Sequence, residues 1–338
     1  MLPYTRENEK DNRNYKARLL TKDDYKGFAV VYNDFREKAF DEYKFELDPL
    51  EFEDFISAVE KNLIDCLVLF ENSIPVGFLV YTTAISEAIE LNIIHSFQME
   101  DMVERSMYLV KKFLELTKSE RLDKIVCYPM LGEQKNLVGN IAHFGFKFVG
   151  LAVLRFMMSG TNSREILNIA EFSKLNENYT FVEWDDKYFD DAAEVVQEGF
   201  ETSADALFDP RFKTIEGTRD IITKIVKDLY AEFLPEATTV ALYKDKPVGF
   251  CFMNLTGGRI ANIPIVAIKK DFQGKGLSKH MLKKSVEKLF QWVDNGEKPI
   301  TEVNTTTETN NFQALKMYRH IGFKEDYNYP QSYLPVKN

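Results

Sequence analysis

The fold class this sequence predicts is two copies of one α+β domain in tandem, and three observations predict it. Pro-Val-Gly-Phe occurs twice, at 75–78 and 247–250, each time after a polar turn that follows an apolar run. Phe-Gly-Phe at 144–146 and Ile-Gly-Phe at 321–323 stand at nearly the same distance downstream of it. Between these anchors, strand-like and helix-like stretches come in the same order in both halves. The copies divide as 1–158 and 178–338. Residues 159–177 are the linker, because Ser159-Gly160-Thr161-Asn162-Ser163 breaks the pattern and a short crossing helix is expected there.

In the first copy, residues 15–20 form a short strand, and 23–40 read as an amphipathic helix with an aspartate cap. A second helical stretch covers roughly 50–63. Residues 66–70, a turn at 71–73 and residues 75–81 make a hairpin. A strand at 90–94, a helix from about 100 to 116 and a strand at 124–127 follow. A short helix ends at the Phe-Gly-Phe, and 148–158 reads as the closing strands. The second copy repeats the order, with a strand at 179–184, helices at 186–200 and 221–230, and a hairpin of 239–243 with 247–252.

Apolar residues are 45% of the 338 and charged residues 28%, so a packed protein is the default. The net charge of −10 argues against nucleic-acid binding dominated by phosphate contacts. An acidic surface serves solubility first, and it can steer a cationic small molecule or peptide. Cys66, Cys127 and Cys251 are odd in number, far apart and set among apolar residues. They read as reduced core thiols rather than a disulfide or metal site. No signal-peptide core opens the chain and no apolar run approaches a bilayer span, so the expectation is a cytoplasmic protein without a membrane partner. His95, His143, His280 and His320 lack metal-ligand spacing and read as structural.

The stretch with the most chemistry runs from Val266 to Ser278. Val266-Ala267-Ile268 is a buried strand, Gln273-Gly274-Lys275-Gly276 a glycine loop, and Leu277, Met281, Leu282, Val286 and Leu289 repeat at helical spacing after it. Such a loop presents backbone N–H groups and a helix N-terminus to an anion. Residues 269–284 hold six lysines against one acid, Asp271; the alternative to a functional cluster is a solvated basic helix face. Downstream, Ala314, Tyr318 and Ile321 share a helix face. Asn310 or Asn311 sits near its N-cap, and Gly322 fits a C′ position.

The Gln273-x-x-Gly276-x-Ser278 loop, with Asn311-x-x-Ala314-x-x-x-Tyr318-x-x-x-Gly322-Phe323 after it, resembles the GNAT (GCN5-related N-acetyltransferase) superfamily, in which tandem chains are known. The resemblance is specific over about 239–325 and rests on fold and order alone in the first half. It implies that each domain is a mixed, mostly antiparallel sheet flanked by helices. It also implies that the C-terminal copy takes acetyl-CoA as co-substrate, with no metal. The pyrophosphate loop then falls on Gln273, Gly274, Lys275, Gly276, Leu277 and Ser278, and the pantetheine-pairing strand on Val266, Ala267 and Ile268. Asn311 takes the asparagine position and Tyr318 the tyrosine position. Ser278 stands where glycine or alanine is usual, yet serine is small enough for the helix start.

The expected function is acetyl transfer to a primary amine by direct attack. A strand N–H near Ala267 or Ile268 stabilises the oxyanion, and Tyr318 acts as general acid unless it is an ordinary core tyrosine. The base is not evident, since Glu302 and Glu308 read more readily as surface carboxylates. The loop at 202–212, with Asp205, Phe208, Asp209 and Phe212, is an acceptor-site possibility or a plain surface loop. Tyr327, Tyr329 and Tyr333 either line an acceptor pocket or pack the tail. The first copy has acids, Glu100, Asp101 and Glu104, where the loop would be. It has Gln134 and Ile141 at the Asn311 and Tyr318 positions, so it reads as degenerate. Two other readings are a tRNA-dependent aminoacyltransferase of similar fold, which needs no glycine loop, and a non-catalytic acyl-CoA-binding protein. The expected partner is an amine, small molecule or peptide; its identity and the oligomeric state are not written in the sequence.

Overall fold

A computed structural model describes residues 14–42, 50–85, 88–97, 101–118, 124–132, 139–159, 163–169 and 174–335. The chain divides into two compact units, one built from residues up to Phe148 and from Gln331 on, the other from Val149–Pro330. Glu100 and Gln134 lie outside the described residues. No described helix is long and apolar enough to cross a membrane.

The first unit contains strands β1 (Tyr15–Leu19), β2 (Asp65–Glu71), β3 (Ile74–Ile85), β4 (Ala88–Ser96) and β5 (Lys124–Gly132), with helices α1 (Tyr25–Glu42), α2 (Phe52–Glu60) and α3 (Met102–Thr117). The strands follow the order β1-β2-β3-β4-β5, antiparallel except for the parallel β4–β5 pair. The period of two along β2 sends its side chains alternately to two cores. Cys66, Val68 and Phe70 join Phe28, Tyr32, Phe35 and Phe55 of α1 and α2. Leu67 and Leu69 join Leu109 and Phe113 of α3.

The second unit is built on two sheets. Strands β7 (Tyr179–Glu183), β9 (Thr239–Tyr243), β10 (Lys246–Cys251) and β13 (Val266–Ile268) form the first, in the order β13-β10-β9-β7. The second contains β6 (Lys147–Met157), β14 (Glu302–Glu308), β12 (Ile260–Asn262), β11 (Asn254–Thr256) and β8 (Glu232–Phe233), in that spatial order. A short helix α4 (Ser163–Ile169) crosses where the linker was expected. Helices α5 (Phe189–Phe200), α6 (Asp205–Phe208) and α7 (Ile215–Val226) lie on one face, with Val195, Val196, Ile221 and Ile222 against Val240, Phe250 and Ala267. Helices α8 (Leu277–Asp294) and α9 (Phe312–Ile321) lie on the other, where Leu277, Met281, Leu282 and Val286 join Ala241, Val303 and Tyr318. Each such large apolar side chain contributes ~1.5–3 kcal/mol on burial.

The two copies share a register. Gly77 pairs with Ser96 and Phe78 with His95 in the first, as Gly249 pairs with Ile268 and Phe250 with Ala267 in the second. The division of the chain differs from the sequence expectation at two strands. β6 pairs along β14 from Glu302↔Met157 to Glu308↔Leu151, so residues 149–158 belong to the second unit. In β15 (Lys324–Pro335), Ser332–Pro335 pairs along β5, so the chain's last strand ends in the first unit. Residues 149–158 of the first copy thus lie in the second unit, and residues from Gln331 on of the second copy lie in the first. A strand's partner is set by edges far away in sequence, which its local pattern does not name.

Candidate functional site

The two sheets of the second unit part company along one strand path. β12 pairs in parallel with β14 at Ile260↔Glu302, Ala261↔Val303 and Asn262↔Asn304, and the Ile263 N–H donates to the Asn304 carbonyl at 3.0 Å. Beyond that bond the chain turns to β10, pairing Cys251↔Val266, Phe250↔Ala267 and Gly249↔Ile268. The result is a wedge between β13 and the outer half of β14, with its apex at Ile263 and Thr305.

Alternation decides which backbone groups line the wedge. Phe252 N–H donates to Ile265 and Lys269 N–H to Val248, so the hydrogen-bonded pair between these two is Phe250–Ala267. The groups of Ala267 therefore face β10, while those of Val266 and Ile268 face the wedge. Of Ala267 and Ile268, the two residues expected from the sequence to supply an oxyanion donor, only Ile268 turns its backbone groups to the wedge. On β14, Thr309 N–H donates to Gly150 and Met158 N–H to Thr301, so odd-numbered residues face β6. Thr306 and Glu308 turn their backbone groups to the wedge.

At the head of β13 the glycine loop is held from both ends. The Gln273 side-chain amide donates to the Ile268 carbonyl at 3.0 Å, tying the loop to the strand. Phe272 packs edge-on against Tyr179 and tilted against Tyr243 at 6.4 and 5.2 Å. Gly274 and Gly276 adopt φ of +72° and +86°, the left-handed region where other residues are strained. Gly276 is the N-cap of α8 and has no side chain to offer the helix. The N–H groups of residues 274–278 find no acceptor among the described residues, and a Cβ at Gly274 would meet nothing within 4 Å. Five donors around an open concavity, at the positive end of an 18-residue helix, suit a pyrophosphate. Leu277 is buried in the core and offers only its backbone, while Ser278 is half-buried in the first turn.

The lysines are less concentrated on the loop than their sequence density suggests. Lys275 folds back, its ammonium 2.7 Å from the Asp271 carbonyl and over the Phe272 ring. Lys270 pairs with Glu201 at 2.9 Å, Lys283 with Glu287 at 3.7 Å, and Lys284 donates to the Phe181 carbonyl at 2.8 Å. Only Lys269 and Lys279 have ammonium groups without a partner among the described residues. The loop's preference for an anion is carried mainly by its amides.

Tyr318 is buried at the wedge apex, 3.4 Å from the Thr305 hydroxyl, which also donates to the Ile263 carbonyl at 3.2 Å. Burial raises the phenol well above its ordinary pKa, so it stays protonated. Asn311 caps α9, its side-chain oxygen accepting from the Ala314 N–H at 3.1 Å. Gly322 closes the helix at φ +111°.

On the other face of β14 the structure brings together Glu308, Asp205 and Tyr329, which the sequence reading named only separately. Glu308, expected at the surface, is half-buried and accepts from the Ala204 N–H at 3.1 Å. Tyr329 is hydrogen-bonded to Thr306, and burial raises its phenol. Asp205 has solvent along one side but a crowded carboxyl, and this desolvation, with Glu308 and Asp209 nearby, pushes its pKa above the carboxylate range. Phe208 is buried and Phe212 stacks on Phe200, so the aromatic residues of that loop serve packing. Glu302, the other surface expectation, is buried and 3.5 Å from Arg155.

In the first unit the corresponding strands do not part. β4 and β5 shift register between Leu91↔Cys127 and Ile93↔Leu131, yet pair again out to Ile94↔Gly132. Arg105, in the first turn of α3, is buried and spends its guanidinium on the Phe97 carbonyl and Glu71, each within 2.6 Å. Ile141, where Tyr318 would be, is a core residue.

Residues 204–323 match the acetyltransferase (GNAT) family. No curated protein sequence matches the chain. Among solved structures, a GCN5-related N-acetyltransferase from Sphaerobacter thermophilus is similar over 96% of both chains, at 15% identity and a TM-score of 0.60. A tandem GNAT protein from the clavulanic acid biosynthesis pathway aligns with 95% of this chain and 98% of its own, at 13% identity and 0.57. A fungal glucosamine N-acetyltransferase region within a multi-domain β-N-acetylglucosaminidase aligns with 95% of this chain and 38% of that one, at 13% identity and 0.60. Residues 204–323 thus match a GNAT acetyltransferase domain, and along its length the chain has the fold of tandem GNAT proteins.

Proposed function

We propose that the C-terminal copy transfers an acetyl group from acetyl-CoA to a primary amine, in the cytoplasm. The observation that carries this reading is a coincidence in space. Five unpaired amides at the head of α8 adjoin a sheet that opens beside Val266 and Ile268, and a buried protonated tyrosine stands at the apex. The amides of 274–278 would receive the pyrophosphate. The outward groups of Val266 would pair with pantetheine as an added strand would, and this puts the thioester in the wedge. The amine nitrogen attacks the carbonyl carbon, the C–N bond forms, and the oxyanion is met by the Ile268 N–H. Collapse breaks the C–S bond, and Tyr318 gives its proton to the departing thiolate. The buried free thiols Cys66 and Cys251 agree with a reducing setting.

An acetyl-CoA turnover screen against polyamines, amino sugars, aminoglycosides and peptide N-termini, followed by free thiol release, tests the reading. The expected result is amine-dependent thiol release that Tyr318→Phe lowers by ~100-fold. Binding of CoA without release for any amine would instead favour a binding protein.

A further inference from the structure

Resting on that proposed acetyl transfer, the geometry points to a proton acceptor that the sequence left open. We infer that Asp205 takes the proton from the acceptor's ammonium, and that the acceptor is a cationic amine entering the wedge from the α5–α7 face. Two independent placements support this. The cofactor loop and Tyr318 lie with α8 and α9, and Thr305 presents its hydroxyl to Tyr318 on that side. The side chains of Thr306 and Glu308 point to the opposite face, where Thr306 meets Tyr329 and Glu308 meets the Ala204 N–H beside Asp205. The wedge connects these faces, so an amine on the Asp205 side meets a carbonyl held from the other.

The second placement is electrostatic. Neighbouring acids are already matched: Asp209 by Arg211 at 2.6 Å, Glu201 by Lys270 at 2.9 Å, Asp220 by Lys224 at 2.9 Å. Asp205 and Glu308 have no basic partner among the described residues. Asp205's polar neighbour is the Ser203 hydroxyl at 3.3 Å, whose single proton is better aimed at the Phe200 carbonyl at 2.8 Å. The groups facing Asp205 are Ser203 of its own loop, Asp209, Glu308 from β14 and Tyr329 from β15; burial and the two acids favour a bound proton, against the opposing Ser203 hydrogen bond.

The protons balance. Asp205 accepts one from R–NH3+, and the freed lone pair forms the C–N bond. The second departs from nitrogen after attack and replaces, through water, the one Tyr318 gives to sulfur. The proton on Asp205 is the one released to solvent per turnover.

The test compares two probes with the full chain: 1,4-diaminobutane, protonated at neutral pH, and hydroxylamine, largely unprotonated there. Asp205→Asn is expected to lower kcat/KM for 1,4-diaminobutane by ~100-fold and for hydroxylamine by less than about threefold. Asp205→Glu is expected to restore part of the loss, with acetyl-CoA affinity unchanged in both variants. Equal losses on both probes, or none, overturn the role of Asp205 while leaving acetyl transfer standing. An unmodified protein that releases no thiol with either amine or with any amine of the wider screen overturns both.

Discussion

Tyr318 is asked for two things by one hydroxyl. Its ring packs against Phe323 in the core, and its phenol is held at a wedge apex by Thr305. Losing that hydroxyl by Tyr318→Phe leaves the ring packing intact, so stability should change by only ~1 kcal/mol while turnover collapses. Thermal unfolding beside the turnover assay checks the separation; a loss of several kcal/mol would make Tyr318 a structural residue. Asp205 makes a prediction of opposite sign. Its folded-state pKa is raised, so the folded protein holds the proton more tightly than the unfolded chain does. That contribution is full below the ordinary carboxylate range and is lost as pH rises through the raised value. Asp205→Asn is therefore expected to gain thermal stability relative to the unmodified protein at pH 8 and to lose the advantage at pH 4. A difference that does not move with pH would contradict the desolvated carboxyl. Tyr318 was legible because helix spacing and a motif both pointed at it. Asp205 and Glu308 stood in the sequence only as separate possibilities, because what joins them is the parity of β14 and an amide of a distant loop.

Among the elements, the pair that matters is one strand path and one loop. The strand, loop and helix from Val266 to α8 were readable from apolar runs, two glycines and helical spacing. The parting of β12 and β13 was not: Ile263-Pro264-Ile265 carries it, and a short apolar run does not reveal where one sheet gives way to another. The same strand in the first copy keeps its neighbour, and Arg105 fills the helix start with a buried ion pair. Arg105→Met should lower stability by ~3 kcal/mol, because it strands Glu71 and the Phe97 carbonyl, and should leave CoA binding untouched. Chemical denaturation with a parallel binding titration reads both. A loss of CoA affinity would mean that the first copy takes part in the site.

For the whole molecule, the duplication was legible from two tetrapeptides and two Gly-Phe pairs, and the shared β-register supports it in detail. The exchange at the closing strands escaped, because a strand's partner lies far away in sequence and its local pattern does not name it. The account makes the chain a double fold with a single cofactor site. Calorimetric titration of the full chain with CoA tests this most directly. It should give one site per chain, abolished by Gly276→Glu, which places a carboxylate among the loop amides and forces a side chain into φ +86°. Two sites per chain, or one that survives that substitution, would contradict it.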